Sequence, residues 1–252
     1  MAGSQAGAAE ALLEWYRAMG VDDAVGETPV DCFAEAAPSP SSRAAPTQGR
    51  VHPAGSGIIS AGNPIEAAAS LAELEALVAG FEGCVLKRTA KNLCFARGSA
   101  EARLMLIGEA PGRDEDLQGK PFVGRAGKLL DRMLASIGLS EEQVYITNTV
   151  YWRPPGNRTP TPEEIEACAP FLARQIELID PAVLVLLGGA AAKSIIGTSE
   201  GIMRLRGKWL SYDCAGRAVP TLATLHPAYL LRSPGDKRLA WRDMLMVKQA
   251  LN

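Results

Sequence analysis

Two acidic side chains, one aromatic ring, a buried-strand amide and one of the chain's two histidines lie on loops or strand ends marked by apolar runs. Glu109 and Glu115 fall in Gly108–Gly124, directly after Leu104–Ile107, and the same loop carries Phe122. Asn148 interrupts the apolar, β-branched run Val144–Val150, and Arg153 to Pro160 follows as a Pro-rich basic loop. His226 ends the run Val219–Leu225 and is followed by Pro227. Carboxylates orient water, an imidazole N–H stabilises developing negative charge, and an amide offers both donor and acceptor to a base edge. With a ring to stack on, such a set suits holding something flat and doing water chemistry on it. Each residue also has a plainer reading. The glycine-rich loop could only connect elements, Glu115 and Asp116 could favour a helix start, His226 could be a cap or core histidine, and Asn148 could be a local turn residue.

Four apolar runs, Leu104–Ile107, Val144–Val150, Val183–Leu187 and Val219–Leu225, predict the core strands. Helical patterns over Ala126–Ser136, Pro162–Ile179 and Ala190–Ile196 separate them, and a further helix is expected over Pro64–Ala79. This alternation predicts a parallel α/β sheet covered on both faces. The candidate residues then meet at the carboxyl edge of the strands, where open α/β sheets bind ligands. A phosphate-binding P-loop is excluded, because Gly127-Lys128 is followed by Leu129 and position 122 is Phe. The loop also lacks a G-x-G-x-x-G fingerprint.

Over about residues 81–252 the chain resembles the uracil-DNA glycosylase superfamily, most closely its family 4. Three motifs carry the resemblance in order: Gly108 to Gly127 (GE[AG]PG-x-x-ED…G-x-PF-x-G-x-AG), Asn148 to Arg158 (N-x-x-x-x-RPP-x-NR), and His226 to Arg232 (HP-x-x-LLR). It implies a three-layer α/β/α sandwich with a four-stranded parallel sheet. It also implies hydrolysis of the N-glycosidic bond of uracil flipped out of single- or double-stranded DNA, leaving an abasic site for base excision repair. In that reading Phe122 stacks under the base, Asn148 reads its edge, and Ala110 and Gly112 line the uracil site without forming a steric gate. His226 donates to O2 of the leaving base. Glu115 is favoured to orient the water, with Glu109 shaping the pocket. Leu230 is the expected wedge into the DNA, with Tyr229 as runner-up. Arg153, Arg158 and Arg232 are expected phosphate contacts, and Asn157 supports the loop or the flipped nucleotide. The alternatives are a glycosylase for other deaminated bases, or a module that binds uracil or abasic DNA without turnover. A cross-linking relative has a His in the loop after the third motif cysteine, and Arg153–Thr161 contains none.

Family 4 members usually hold a [4Fe–4S] cluster on four cysteines. The corresponding positions here are Phe81, Cys84, Trp152 and Cys168. Two thiols where such a cluster needs four ligands imply that packing replaces it, so no cofactor is expected. The resemblance places Cys84 and Cys168 close together as buried thiols.

The five cysteines show neither disulfide-framework nor zinc-type spacing. No apolar run approaches the ~20 residues that span a bilayer, and the N-terminus lacks a signal-peptide layout, so a cytoplasmic monomer is expected. The net charge of −2 is unevenly distributed. Residues 1–80 carry 3 basic and 10 acidic side chains, whereas residues 81–252 carry 23 and 18. The second part is modestly basic, as phosphate contact requires. Three regions are therefore expected: a helical extension over 1–35 centred on Ala8–Met19, an Ala/Pro/Ser/Gly linker over 36–62, and the catalytic domain over 63–252. The extension's helix packs on the domain or on an unidentified protein partner.

Overall fold

A computed structural model of the chain describes residues 63–252. The expected extension and linker lie outside the described residues. The first two helices are α1 (Pro64–Ala67) and α2 (Leu71–Gly80). One continuous helix was expected there, but Ser70 and Glu73 form a reciprocal cap that starts α2 afresh. Ser70 Oγ accepts the Glu73 N–H (3.2 Å) and Glu73 Oε2 accepts the Ala69 N–H (2.7 Å).

A six-stranded sheet runs in the order β1-β3-β2-β4-β6-β5. Its centre is the four expected runs: β3 (Val144–Asn148), β2 (Leu104–Gly108), β4 (Val183–Leu187) and β6 (Arg217–Thr224), all parallel. The expectation of four strands is corrected by two antiparallel edges, β1 (Arg97–Gly98) on β3 and β5 (Trp209–Cys214) on β6. β1 is only two residues long. β5 alternates exposed and half-buried positions, so neither edge forms an apolar run. The β5–β6 hairpin closes through Ala215 and Gly216 with φ of 49° and 87°. Asp213 Oδ1 accepts the Gly216 N–H at 2.8 Å, a tight-turn arrangement.

Alternation along each central strand sends side chains to two separate cores. Met105 and Ile107 face α5 (Pro162–Ile179) and α6 (Gly189–Ile196), packing with Leu172, Ile176 and Ala192. Leu104 and Leu106 face α4 (Arg125–Ser136) and the C-terminal helix α9 (Lys237–Leu251), packing with Leu130, Leu134 and Met244. The short helices α3 (Arg113–Gln118), α7 (Ile202–Leu205) and α8 (Pro227–Arg232) belong to the loops. The result is three layers, with the carboxyl ends of β2, β3, β4 and β6 all opening toward one edge.

The β6 end is held by a buried polar contact. Thr224 Oγ1 donates to Asp243 Oδ2 of α9 at 2.7 Å, and the Arg206 guanidinium pairs with the same carboxylate. Asp243 is fully buried, so removing it strands a largely buried guanidinium. Asp243→Ala is expected to lower stability by about 3–5 kcal/mol, as measured by urea unfolding; a change below about 1 kcal/mol would show the contact to be peripheral.

Candidate active site

The four parallel strands end at Gly108, Asn148, Leu187 and Thr224, and a cavity of about 440 Å³ is lined by the segments that follow β2, β3 and β6. Its wall contains Glu109, Ala110, Gly112, Glu115, Phe122, Asn157, Arg158, His226, Tyr229 and Arg232 among the expected site residues. A larger cavity of about 610 Å³ lies at the opposite edge, around the start of β2 at Leu104, and contains no histidine or aromatic ring.

Glu115 holds the first loop together. Its Oε2 accepts the Gly112 N–H (3.1 Å), and Oε1 accepts those of Val123 (3.0 Å) and Gly124 (2.9 Å). Both oxygens are therefore engaged with backbone donors at the two ends of the α3 turn. Phe122, immediately before those donors, is held at φ 55°, a region costly for a bulky side chain and found where surrounding structure imposes it. Asp116 does similar work nearby, accepting from the Lys91 and Asn92 N–H groups. Glu109 differs from both. Its side chain lines the cavity, and only its backbone is tied, with its carbonyl accepting the Thr149 hydroxyl (2.6 Å).

Phe122 and Asn148 meet over a bare backbone carbon. A Cβ added at Gly108 would lie 2.4 Å from Phe122 Cζ and 2.5 Å from Asn148 Oδ1. Asn148 is completely buried, and neither its Oδ1 nor its Nδ2 has a hydrogen-bond partner. A buried amide without a protein partner is costly unless a water or a ligand pairs with it.

His226 caps α8, with Nδ1 accepting the Ala228 N–H at 3.1 Å. In the neutral ring the proton is therefore on Nε2. The Phe122 and His226 ring centroids are 5.6 Å apart. Burial, assisted by the positive charge of Arg232, lowers the His226 pKa to about 4. Room for the imidazole comes from Gly188 at the end of β4, where φ is +93° and an added Cβ would be 3.0 Å from His226 Cβ. Thr149 and Gly188 were not singled out in the sequence. The Gly188-Gly189 pair at a strand end was the available signal.

The DNA-side residues divide. Arg232 is exposed at the cavity rim. Arg153 Nε donates to Asn157 Oδ1 (2.7 Å), bracing the loop. Arg158 makes a two-pronged pair with Glu164 (2.8 and 2.6 Å), itself in the cap of α5, so its guanidinium is committed to the fold. Tyr229 Oη donates to Asp236 (2.6 Å). Leu230, the expected wedge, is 1% exposed and packs with Leu225 and Ala240, whereas Leu231 beside it is exposed. The turn of α8 points Leu230 inward, whereas the expected wedge would face outward.

At the positions of the family's cluster, Cys84 and Cys168 are buried beside each other. Their mutual interaction holds the Cys84 thiol below the usual thiol range and Cys168 above it. Phe81 packs edge-on against Phe171 (4.9 Å), and Trp152 packs edge-on against Tyr151 (6.2 Å). Cys94 lies elsewhere, with its Sγ donating to the Glu115 carbonyl. Among the described residues no group of three or more His, Cys, Asp or Glu side chains could hold a metal. Two of the four positions carry rings in place of thiols.

The family model of the uracil DNA glycosylase superfamily matches residues 95–245. The chain belongs to the uracil DNA glycosylase superfamily. It is 49% identical over 155 residues to the type-4 uracil-DNA glycosylase of Archaeoglobus fulgidus, covering 60% of this chain and 78% of that protein. The type-4 enzyme of Saccharolobus solfataricus is 43% identical over 174 residues (67% and 81%), and that of Thermotoga maritima 41% over 168 residues (66% and 86%). No helix among the described residues is long and apolar enough to cross a membrane.

The depressed His226 pKa has a consequence for stability. Below the unfolded value of 6.5 the unfolded chain takes up a proton that the folded ring resists until about pH 4. Stability therefore falls as pH is lowered through that window, because the unfolded state binds more protons. His226→Gln is expected to shrink the loss between about pH 7 and pH 5, read from urea midpoints. An identical loss in the variant would mean that the ring titrates normally.

Proposed function

We propose that this superfamily member is a uracil-DNA glycosylase acting on uracil in single- and double-stranded DNA, releasing the base and leaving an abasic site. The observation that carries the reading is the Asn148 amide, buried without partners beside the Phe122 ring. Uracil offers a carbonyl and an adjacent N–H, which one amide satisfies with its own donor and acceptor. Cytosine reverses that pattern and would leave the buried amide mispaired, a strong basis for rejection.

Uracil within a duplex must first be flipped out, at about a few kcal/mol. Phe122 then stacks under the ring, and Ala110 and Gly112 leave space around it. When the bond from the sugar carbon to uracil N1 breaks, its electron pair goes to the base. The neutral His226 donates Nε2–H to O2, where that charge accumulates. Arg232, whose field disfavours a cationic His226, favours the anionic leaving base in the same way. Water then attacks the oxocarbenium-like sugar carbon and gives up a proton to a carboxylate. We assign that carboxylate to Glu109 in place of Glu115, because Glu115's oxygens are held by three backbone N–H groups and Glu109's side chain is not so committed. Leu231 replaces Leu230 as the apolar wedge, with Arg232 as the nearest phosphate contact. Arg153, Arg158 and Asn157 act by shaping the loop beneath the DNA.

In this reading the protein is a cytoplasmic monomer, and it works without an iron–sulfur cluster, a point supported by the rings at positions 81 and 152. Purified protein is expected to lack the broad absorption near ~400 nm and to contain no stoichiometric iron; a full complement of four irons would overturn this part. For the chemistry, single-turnover base release from a uracil oligonucleotide is the test. Glu109→Gln should slow release by roughly 10²–10⁴-fold with unchanged thermal stability. Glu115→Gln should lower the melting temperature, since its amide must face a backbone N–H with another donor. The reverse pattern would return the water to Glu115. Absence of base release by the wild type would favour the binding module.

A further inference from the structure

A third cavity, about 390 Å³, lies between α4 and α9, with Leu230 of α8 in its lining. Its floor is apolar, made by Met133, Met244 and the buried Leu230. Trp241 forms one wall and is 43% exposed, and Leu245, one helical turn further along α9, is equally exposed. These two extend an apolar stripe that α9 does not bury. The rim is Arg132, Lys237 and Arg238, all exposed, and the lining contains no carboxylate. None of the three makes an ion pair among the described residues.

We propose that this groove docks an acidic amphipathic helix of a partner protein. Its leucine-like side chains enter the apolar floor beside Trp241, and its carboxylates meet the three rim cations. An exposed tryptophan with surrounding arginines matches the composition of interface hot spots, and helix-in-groove binding reads spacings of i, i+3, i+4 and i+7. A DNA backbone is a poorer occupant, because phosphates bring nothing apolar to fill the floor. Leu230 belongs to the helix that carries Tyr229 and Arg232 into the catalytic cavity, so the docked helix rests on the back of the element capped by His226.

The test uses the full chain and a fluorescein-labelled peptide with Leu at i, i+3, i+4 and i+7 and Glu at the remaining positions, followed by anisotropy. Saturable binding with roughly micromolar Kd is expected, weakened about tenfold by Trp241→Ala and by Arg238→Glu. A version with Lys in place of every Glu should not bind. Base release by Trp241→Ala without peptide should match the wild type, which separates this proposal from the catalytic one. Absent binding, or binding indifferent to both substitutions, overturns the proposal. It is equally overturned if Trp241→Ala instead abolishes self-association in sedimentation, or selectively weakens binding of a single-stranded oligonucleotide, since the groove would then serve a second copy or the DNA.

Discussion

The active-site loop depends on a carboxylate that joins its two ends. Glu115 accepts backbone N–H groups from Gly112 on one side and from Val123 and Gly124 on the other. Charge-assisted bonds of this kind are stronger than neutral ones, and three converging on one group leave the loop little freedom. The positive φ of Phe122 follows from where that clamp places the next residues. The ring can then lie over Gly108 beside Asn148, and Glu109 is left at the cavity wall with its side chain unburdened. Removing the clamp would release the Phe122 ring beside Asn148 and the Glu109 carboxylate together.

Against this fixed loop stands an imidazole kept neutral. Its environment supplies both halves of the arrangement: burial disfavours the cation, and the Ala228 N–H selects the tautomer that presents Nε2–H. The neutral ring keeps one N–H donor, so its hydrogen bond is available at neutral pH without a cation being buried. The Thr224–Asp243–Arg206 contact two residues earlier steadies the strand that delivers it.

Much of this was legible in the residue order. The four central strands appear as apolar runs because both sheet faces are buried, and the runs end where the ligand site opens. The edges were not legible. β1 has two residues, and β5 shows half-exposed alternation that a search for apolar runs passes over. Within the site, residue type singled out Phe122 and His226, which line the cavity, and Asn148, which is buried beside Phe122. It could not divide the work of Glu109 and Glu115, since the difference lies in which carboxylate is engaged by backbone donors. Nor could spacing show that Leu230 faces inward while Leu231 does not, or that Arg158 is committed to Glu164. Both depend on how short helices and caps settle against their neighbours.

The central claim is that an unpartnered amide, buried beside the stacking ring, reads the base. The most direct measurement is single-turnover release of uracil and of cytosine from matched oligonucleotides by wild type and Asn148→Asp. The account predicts that the wild type releases uracil alone, and that the variant loses uracil release and gains measurable cytosine release, since a carboxylate offers uracil O4 no donor but accepts from cytosine N4–H. Unchanged preference and rate for uracil in the variant would contradict it and remove Asn148 from the reading edge.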